Sequence, residues 1–376
     1  MIRLTYRSLS LEPVRTAFTV LAIASIVTVI LLLEGFYSGL LTQLRNTVLN
    51  RQADLIVVQA GVSNMTAARS ILPQYSRMDV EAIDGVSSAH PLTGISAIYE
   101  HDGLSTAVFL LVYDSHGGPA EIREGFASSE PRSVVVDHSL SSRYGLEVGD
   151  PFVLTGFEFR VAGVTSGAAA MFTPFVFVRF DDLIDYYLES DTAADITTFP
   201  LLSFLLLELD VDAERDGVAA TIERVIPEAD VALPGSMADA DEALGRALFG
   251  PTMKLLVGVG YTIGALVTGI IMFAAVNARR RELGVMKALG FSNRFLQGSV
   301  LFEGVTLSFL SLPIGVILAW FVGHVIETAA PLYLVKANEM LPVLRTSLAC
   351  ITFAAIGSLL PIRVIQRIEP AAAFGG

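Results

Sequence analysis

The composition of this 376-residue chain excludes an ordinary soluble protein, because 53% of its residues are hydrophobic, only 17% are charged and the mean hydropathy is +0.60. Part of the chain must therefore lie in lipid. The formal net charge of -13 averages over basic and acidic segments, which orient the chain below. The single cysteine, Cys350, excludes an internal disulfide framework and a zinc site made of cysteines.

Four apolar stretches approach or exceed the roughly 20 residues that a membrane-spanning helix needs. We place the transmembrane helices at residues 17–40, 252–277, 296–322 and 346–362. The last is short and ends at Pro361, and the flanking Arg345 and Arg363 can snorkel to the interface. The rival interpretation of the first stretch is a secretory signal peptide. A retained anchor is favoured, because the run exceeds the usual length of about 7 to 15 apolar residues and lacks a clear cleavage site.

Positive charge near the spans sets the orientation, because cytoplasmic segments carry the excess of Lys and Arg. Residues 1–16, 278–295 and 363–376 together carry ten basic and three acidic residues, whereas residues 41–251 carry 12 basic and 31 acidic residues. Both termini and the 278–295 loop are therefore predicted to be cytoplasmic. Residues 41–251 are predicted to form an extracytoplasmic domain, and residues 323–345 an external loop.

The 41–251 segment has a mixed α and β pattern. Strands are predicted at residues 53–59, 133–137, 151–155 and 158–164, and on both sides of a turn at 101–103 within 97–112. An amphipathic helix at 213–225 lies between strands at 204–209 and 229–233, which predicts a β-α-β unit. The first and last parts are predicted to form one α+β lobe with a β-rich lobe inserted, and residues 41–50 and 237–249 to continue the spans as helical stalks.

Several kinds of chemistry are missing from the sequence. It contains no GxxxxGK[ST] phosphate loop, no HExxH and no GxSxG motif, so we expect no ATP site and no enzymatic activity in the chain itself. The five histidines are scattered singly, at positions 90, 101, 116, 138 and 324, which favours surface or core histidine over a metal site. We therefore predict no catalytic, cofactor-binding or metal-binding residues.

Small and acidic residues in the spans suggest helix contacts. Two glycine pairs at i, i+4 spacing, Gly35 with Gly39 and Gly260 with Gly264, place small residues on one helix face. Such a face allows two helix backbones to approach closely. The alternative interpretation is that glycine is simply common in membrane helices. If these faces are used, spans one and two contact each other within the chain or across a homodimer. Glu34 and Glu303 are acids inside spans; Glu303 is interpreted as interfacial or as a protonated, hydrogen-bonded carboxyl, and Glu34 stays open.

The loop between spans two and three carries the strongest local signal. Three arginines, 279–281, leave the membrane and are followed by Leu283, Met286 and Leu289 at helical spacing. Gly290 is predicted to end this helix before Ser292 begins the next. An amphipathic helix in this place is either a membrane-surface element or a docking site for a soluble partner.

This loop resembles that of the MacB/FtsX/LolC-type, or type VII, ABC transporter permeases, in particular their stand-alone DevC-like members. The matching positions are Arg279, Glu282, Gly284, Lys287, Ala288, Leu289 and Gly290. The order of one span, a large external domain and three spans is similar over the whole chain, and weaker matches lie at residues 53–57, 146–150 and 159–164. MacB itself has a fused nucleotide-binding domain, which this chain lacks.

The resemblance implies a permease of the bacterial inner membrane that works with a separate ABC ATPase dimer and a second permease copy, as a homodimer or with a paired homologue. ATP acts through that partner, and a periplasmic adaptor and an outer-membrane duct are further implied partners; nucleic acid is not. The residues expected to couple to the ATPase are Arg279, Glu282, Leu283, Gly284, Met286, Lys287, Leu289 and Gly290. Export or extraction of a substrate from the outer side is the expected function. The alternatives are an FtsX-like regulator that activates an extracytoplasmic hydrolase, and a receptor without an ATPase.

Overall fold

The computed structural model describes residues 13–66, 70–128, 130–190 and 201–358. Within them the chain forms two compact units, one with residues 13–38, 250–326 and 335–358 and the other with residues 39–249 and 327–334. Outside the described residues lie the end of the fourth predicted span and four basic residues on which the predicted orientation depends, Arg3, Arg7, Arg363 and Arg367.

The described elements follow one another in this order: α1 Pro13–Leu49, β1 Leu55–Gln59, β2 Leu72–Pro73, α2 Ser76–Glu81, β3 Val86–His101, β4 Leu104–Tyr113, β5 Ile122–Gly125, β6 Ser133–Asp137, α3 His138–Tyr144, β7 Pro151–Leu154, β8 Phe157–Thr165, β9 Ala169–Ala170, β10 Thr173–Arg179, α4 Leu183–Glu189, β11 Leu201–Leu202, β12 Phe204–Leu209, α5 Arg215–Val225, β13 Ala229–Ala232, α6 Pro234–Ala278, α7 Arg280–Ala288, α8 Asn293–Ala329 and α9 Met340–Gly357.

Helices α1, α6, α8 and α9 are long and apolar enough to cross a membrane, which agrees with the four predicted spans. The predicted helical extensions are confirmed, because α1 continues to Leu49 and α6 is one helix of 45 residues that includes Pro251. Helix α9 begins at Met340, so Arg345 lies within the helix and does not flank it. The exact ends of the spans inside these helices stay predictions.

The helices of the first unit pack through small residues. An ideal Cβ on Gly315 of α8 would lie 2.7 Å from Val27 of α1, and one on Gly357 of α9 would lie 3.0 Å from the Cα of Gly269 of α6. Such distances leave no room for a side chain, so the Gly315 backbone contacts the Val27 side chain and the backbones of Gly357 and Gly269 contact each other. The buried core of this unit includes Leu31.

The second unit is built on one mixed sheet with the strand order β13-β1-β12-β3-β4-β10-β6-β8-β5. Strand β1 pairs antiparallel with both β12 and β13, so the predicted β-α-β unit of β12, α5 and β13 is present with β1 between its two strands. The sixteen-residue β3 pairs with β12 over its first half and with β4 over its second half. The β-rich middle therefore continues the same sheet as the first and last parts of the segment.

One central strand is missing from the sequence prediction. Strand β10 pairs parallel with β4 and antiparallel with β6, and its apolar side chains from Phe175 to Val178 are buried. It is buried on both faces, so it has no alternation of polar and apolar residues, and Pro174 interrupts the pattern of a central strand.

Candidate coupling site

The segment between α6 and α8 is a short helix closed at its end by glycine. After Ala278, the backbone turns at Arg279 into α7, and Gly290 adopts a positive φ of 92°. The amide of Phe291 donates to the carbonyl of Met286, and the amide of Gly290 donates to that of Lys287, which is the Schellman arrangement at a helix end. The predicted helix end at Gly290 is thus confirmed, and its cause is backbone conformation.

Arg279 joins α7 to α8. One nitrogen of its guanidinium donates to both carboxylate oxygens of Glu303, at 3.0 and 2.7 Å, and its Nε donates to Glu282 at 2.9 Å. The side chains of Arg279 and Glu303 are only 21% and 17% exposed. The intramembrane acid Glu303 is therefore paired with a cation inside the chain, which offsets the cost of placing a charge near lipid.

Leu283 is part of the core of this hairpin. It is 4% exposed and packs with Val276 of α6 and with Leu296 and Val300 of α8, while Met286 is half-buried at the edge of the same cluster. The neighbouring Gly284 is buried as well. The side chains of Leu283 and Met286 therefore pack α7 against its own flanking helices.

The three residues predicted to form one docking face, Leu283, Met286 and Leu289, differ in burial, and their contact with an ATPase stays a prediction. Leu289 follows the last residue of α7 and is 74% exposed, whereas Leu283 is 4% exposed and packs against the flanking helices. The exposed apolar residues are instead Val285, Leu289 and Phe291, at 37%, 74% and 40% exposure, and we call them the apolar edge. Val285 and Leu289 are four residues apart, a spacing that also indicates a shared helix face and could have identified them.

The glycine pairs have different surroundings. An ideal Cβ on Gly264 would lie 2.8 Å from Ile26 of α1, and one on Gly260 would lie 3.5 Å from Ile30, so the predicted contact between spans one and two is present within the chain. Gly35 lies against the backbone of Lys336 and Ala337, and Gly39 against the backbone of Leu334. Those two glycines therefore contact the segment between α8 and α9. A homodimer through any of these faces stays a prediction.

Glu34 is held by a hydroxyl group. The Tyr261 hydroxyl of α6 donates to the Glu34 carboxylate at 2.9 Å and lies 3.4 Å from the Thr346 hydroxyl of α9. This contact joins three helices of the first unit around one carboxylate. It assigns to Glu34 a packing role that the sequence alone left open.

Two of the five histidines, treated as isolated in the sequence analysis, lie together in the second unit. His90, His116 and Glu208 bring their nitrogen and oxygen ligand atoms within 4.8 Å of one another. Burial, and then the neighbouring His116, lower the pKa of His90, while a hydrogen bond from Ser88 lowers the pKa of Glu208. Linear spacing could not reveal this cluster, since 118 residues separate its two ends.

Comparison with protein families identifies the chain. The model of the MacB-like periplasmic core domain matches residues 16–225, more than half of the chain, and that of the FtsX-like permease C-terminal region matches residues 254–370. The chain belongs to the MacB/FtsX-type ABC transporter permeases. It is accordingly a multi-pass protein of the inner membrane, and a permease of this type works with an ATPase partner. The family resemblance inferred from the 279–290 loop is confirmed.

Curated relatives agree with this assignment. The permease is 22% identical over 365 residues to uncharacterised ABC transporter permeases of Mycobacterium tuberculosis and Mycobacterium bovis, with 96% of each chain covered. Among solved structures, the periplasmic region of MacB from Actinobacillus actinomycetemcomitans is 12% identical, covers 52% of this chain and 95% of its own, and has a TM-score of 0.38. The extracellular domain of the transporter YknZ is 11% identical, covers 48% of this chain and all of its own, and has a TM-score of 0.36.

Proposed function

We propose that this permease transmits the movement of a separate ATPase dimer through its membrane helices to its extracytoplasmic domain, and so exports or extracts a substrate from the outer side of the membrane. The 278–295 loop and both termini face the cytoplasm in this proposal, and residues 41–251 face outward. Two permease copies and two ATPase subunits form the working unit.

The observation that carries the proposal is that the apolar edge is exposed at α7 while α7 itself is fixed to α6 and α8. Val285, Leu289 and Phe291 are exposed, while on the other side of α7 Leu283 is buried and Arg279 is bound to Glu303. A push on the apolar edge would therefore move α7 together with α6 and α8, because the three helices share a core. Stiff elements with buried contacts are what the transmission of a conformational change requires.

Helix α6, which leads into this site, and helix α1 are suited to transmission. Helix α6 contains 45 residues and α1 contains 37, and neither is interrupted by a loop between the two units of the chain. At about 1.5 Å per residue, both exceed the thickness of a bilayer of roughly 30 Å. Movement of their membrane parts would pass directly into the first residues of the extracytoplasmic domain.

The proposal is tested with Leu289→Glu in the full-length permease, expressed with its cognate ATPase. A charge placed in an apolar contact should weaken ATPase binding about tenfold or more, since each tenfold corresponds to about 1.4 kcal/mol and removing a buried anchor typically costs at least this much. Affinity capture and ATP turnover in membranes measure the effect. Wild-type binding and turnover with correctly inserted Leu289→Glu protein would contradict the assignment and favour a membrane-surface helix.

A matched control is Leu188→Glu. Leu188 is a 72% exposed leucine on α4 in the second unit, so its substitution has the same chemistry in the proposed extracytoplasmic domain. We expect unchanged capture of the ATPase. Proteins that co-purify with the tagged permease then separate the two classes of function: an adaptor and a duct support export, and a cell-wall hydrolase supports regulation.

A further inference from the structure

The sheet of the second unit brings three metal-ligand side chains to one place. Strands β3 and β12 pair antiparallel, with Ser88 directly opposite Glu208. His90 lies two residues beyond Ser88 and therefore on the same face of β3. His116 follows β4 in the turn of residues 114–118, and its ring lies 4.3 Å from that of His90 between centroids.

The distances between the three side chains suit a small cation. Nε2 of His116 lies 2.7 Å from Oε1 of Glu208, and Nε2 of His90 lies 3.6 Å from Oε2 of the same carboxylate. Ligand atoms about 2.0–2.1 Å from a tetrahedral zinc ion are about 3.3 Å apart. This spacing lies between the two distances to Glu208, so a bound cation would replace the His116 to Glu208 contact by one bond to each side chain.

The exposure of the three side chains and the contacts of the His90 ring both favour a role as metal ligands. The His90 side chain is 9% exposed, whereas the side chains of His116 and Glu208 are 38% and 40% exposed, so a cation can enter from solvent and reach a buried ligand. The second ring nitrogen of His90, Nδ1, lies 2.9 Å from the Ser115 hydroxyl. A contact at that nitrogen fixes the orientation of the ring, as partners of metal-binding histidines do. Nε2 lies 2.8 Å from the Ser88 hydroxyl, a contact that a bound cation would replace.

The turn that carries His116 is held in position by a buried arginine side chain. Arg51 is 2% exposed and donates to the carbonyl oxygens of Gly117 and, at 3.0 Å, Gly118. Gly117 has a φ of 87°, and an ideal Cβ there would lie 2.6 Å from the Leu206 side chain, so only glycine fits. His116 is therefore presented by a constrained turn next to the end of α1.

We propose that His90, His116 and Glu208 form a binding site for a divalent transition-metal cation of the Zn²⁺ class. Two imidazole nitrogens and one carboxylate are a donor set that suits Zn²⁺, Cu²⁺ or Ni²⁺, and water fills the remaining position. The cation joins β3, β12 and the turn that Arg51 holds. Its binding stabilises the part of the domain that follows α1 directly in the chain.

The test uses the full-length permease, purified in detergent with an affinity tag that contains no histidine, and Zn²⁺ alone as the probe. Titration calorimetry should give one equivalent of Zn²⁺ per chain, and Zn²⁺ should raise the thermal unfolding midpoint. His116→Ala and Glu208→Gln should each lower the affinity at least tenfold, since each removes a ligand. His101→Ala is the matched control, because His101 also lies next to a carboxylate, at 3.7 Å from Asp102, outside the cluster, and it should bind as the unaltered protein does.

A second measurement needs no variant. Diethyl pyrocarbonate modifies histidines that are free, so Zn²⁺ should protect His116 but not the exposed His101 of the unaltered protein, as read by mass spectrometry of the peptides. Binding that does not saturate, or affinities of His116→Ala and Glu208→Gln within threefold of the unaltered protein, would overturn the proposal. Equal modification of His116 with and without Zn²⁺ would overturn it even if the variants failed to fold.

Discussion

Arg279 and Glu303 form an ion pair in which one guanidinium nitrogen reaches both carboxylate oxygens, and this pair fastens the start of α7 to α8. The arginine is the first residue of the family pattern in the 279–290 loop. Its side chain is engaged within the permease, and in the proposed coupling it holds α7 in place. In the proposed coupling, the apolar edge contacts the ATPase.

Removing the charge of Glu303 should loosen this hairpin. Glu303→Gln leaves a mostly buried guanidinium with one carboxylate fewer, and we expect a loss of stability of about 2 kcal/mol, the usual size for a hydrogen bond to a charged group. Thermal unfolding of the detergent-solubilised permease measures it. Glu282→Gln is the control, because Glu282 is 60% exposed and an exposed ion pair contributes under about 1 kcal/mol. Equal effects of the two substitutions would contradict the role of the Glu303 pair.

Cysteine labelling should establish the orientation of the chain. Asp216 and Ser292 are both exposed in the structure, and the charge distribution predicts that they lie on opposite sides of the membrane. A cysteine at Asp216 should react with an impermeant thiol reagent on intact spheroplasts, and one at Ser292 only after lysis. Ser128 is a poorer site, because its hydroxyl is half-buried and hydrogen-bonded to Ser133. The native Cys350 is buried, so the unaltered protein gives the background level of labelling. Labelling of intact spheroplasts at Ser292 alone would reverse the predicted orientation.

Gly260 and Gly264 of α6 should respond differently to a methyl group. Gly264→Ala places its Cβ 2.8 Å from Ile26, and such overpacking typically costs about 1 to 3 kcal/mol. Gly260→Ala makes an ordinary contact of 3.5 Å with Ile30 and should change stability by less than about 0.5 kcal/mol. Thermal unfolding of both variants measures this.

The double variant Gly264→Ala with Ile26→Ala supplies the control, since the shortened side chain makes room for the added methyl group. The two changes should therefore be less than additive. Strict additivity, or equal losses at Gly260 and Gly264, would show that the contact between α1 and α6 does not depend on this glycine. Cross-linking between permease copies, measured on the same variants, reports separately on the predicted homodimer.

Much of the architecture could be read from the sequence, because it depends on local patterns. The four apolar stretches and the helical continuation of span two into residues 237–249 follow from residue type and periodicity within one segment. Strand β10 and the pairing of β12 with β3 depend instead on contacts between distant segments. The cluster of His90, His116 and Glu208 results from that pairing, so its residues show no mutual pattern along the chain.

The 278–295 loop shows a second limit of prediction from sequence. The apolar positions of α7 are visible in the sequence, but which of them face outward depends on where α6 and α8 pack. The contacts of Leu283 with Leu296 and Val300 decide this, and they leave Leu289 outside. A family pattern marks all these positions alike, although some stabilise the hairpin and others are available to a partner.

The buried Asp137 should make stability depend on pH in an unusual direction. Its carboxylate caps α3 through the Ser139 amide and accepts from the Ala168 amide at 3.0 Å, and burial raises its pKa above the ordinary value of 3.8. The folded state thus binds this proton more tightly than the unfolded state. The stability contributed by Asp137 is fully present below its unfolded pKa and is lost as the pH rises through its folded pKa.

Comparison with Asp137→Asn isolates this effect, because asparagine does not titrate. The change in free energy that comes from its altered contact with the Ala168 amide is therefore the same at every pH. The stability of the unaltered protein relative to Asp137→Asn should therefore increase as the pH falls from neutral towards 4. Thermal unfolding of both proteins in the same detergent across this range measures the difference. A difference independent of pH, or one that shrinks on acidification, would contradict the raised pKa.

Leu283 and Leu289 should separate the stability of the hairpin from its docking. Leu283→Ala removes a buried side chain and leaves a cavity next to Leu296, which typically costs about 2 to 5 kcal/mol, whereas Leu289→Ala at a 74% exposed position should change stability by less than about 0.5 kcal/mol. ATPase capture should be reduced by Leu289→Ala in a protein that unfolds at the wild-type temperature. Thermal unfolding and capture measured on the same preparations give both quantities, and Leu283→Met, which nearly conserves volume, is the control for the core. A destabilised Leu289→Ala beside a Leu283→Ala protein of normal stability would show that the two residues have exchanged roles, and would return Leu283 to the docking face that the sequence predicted.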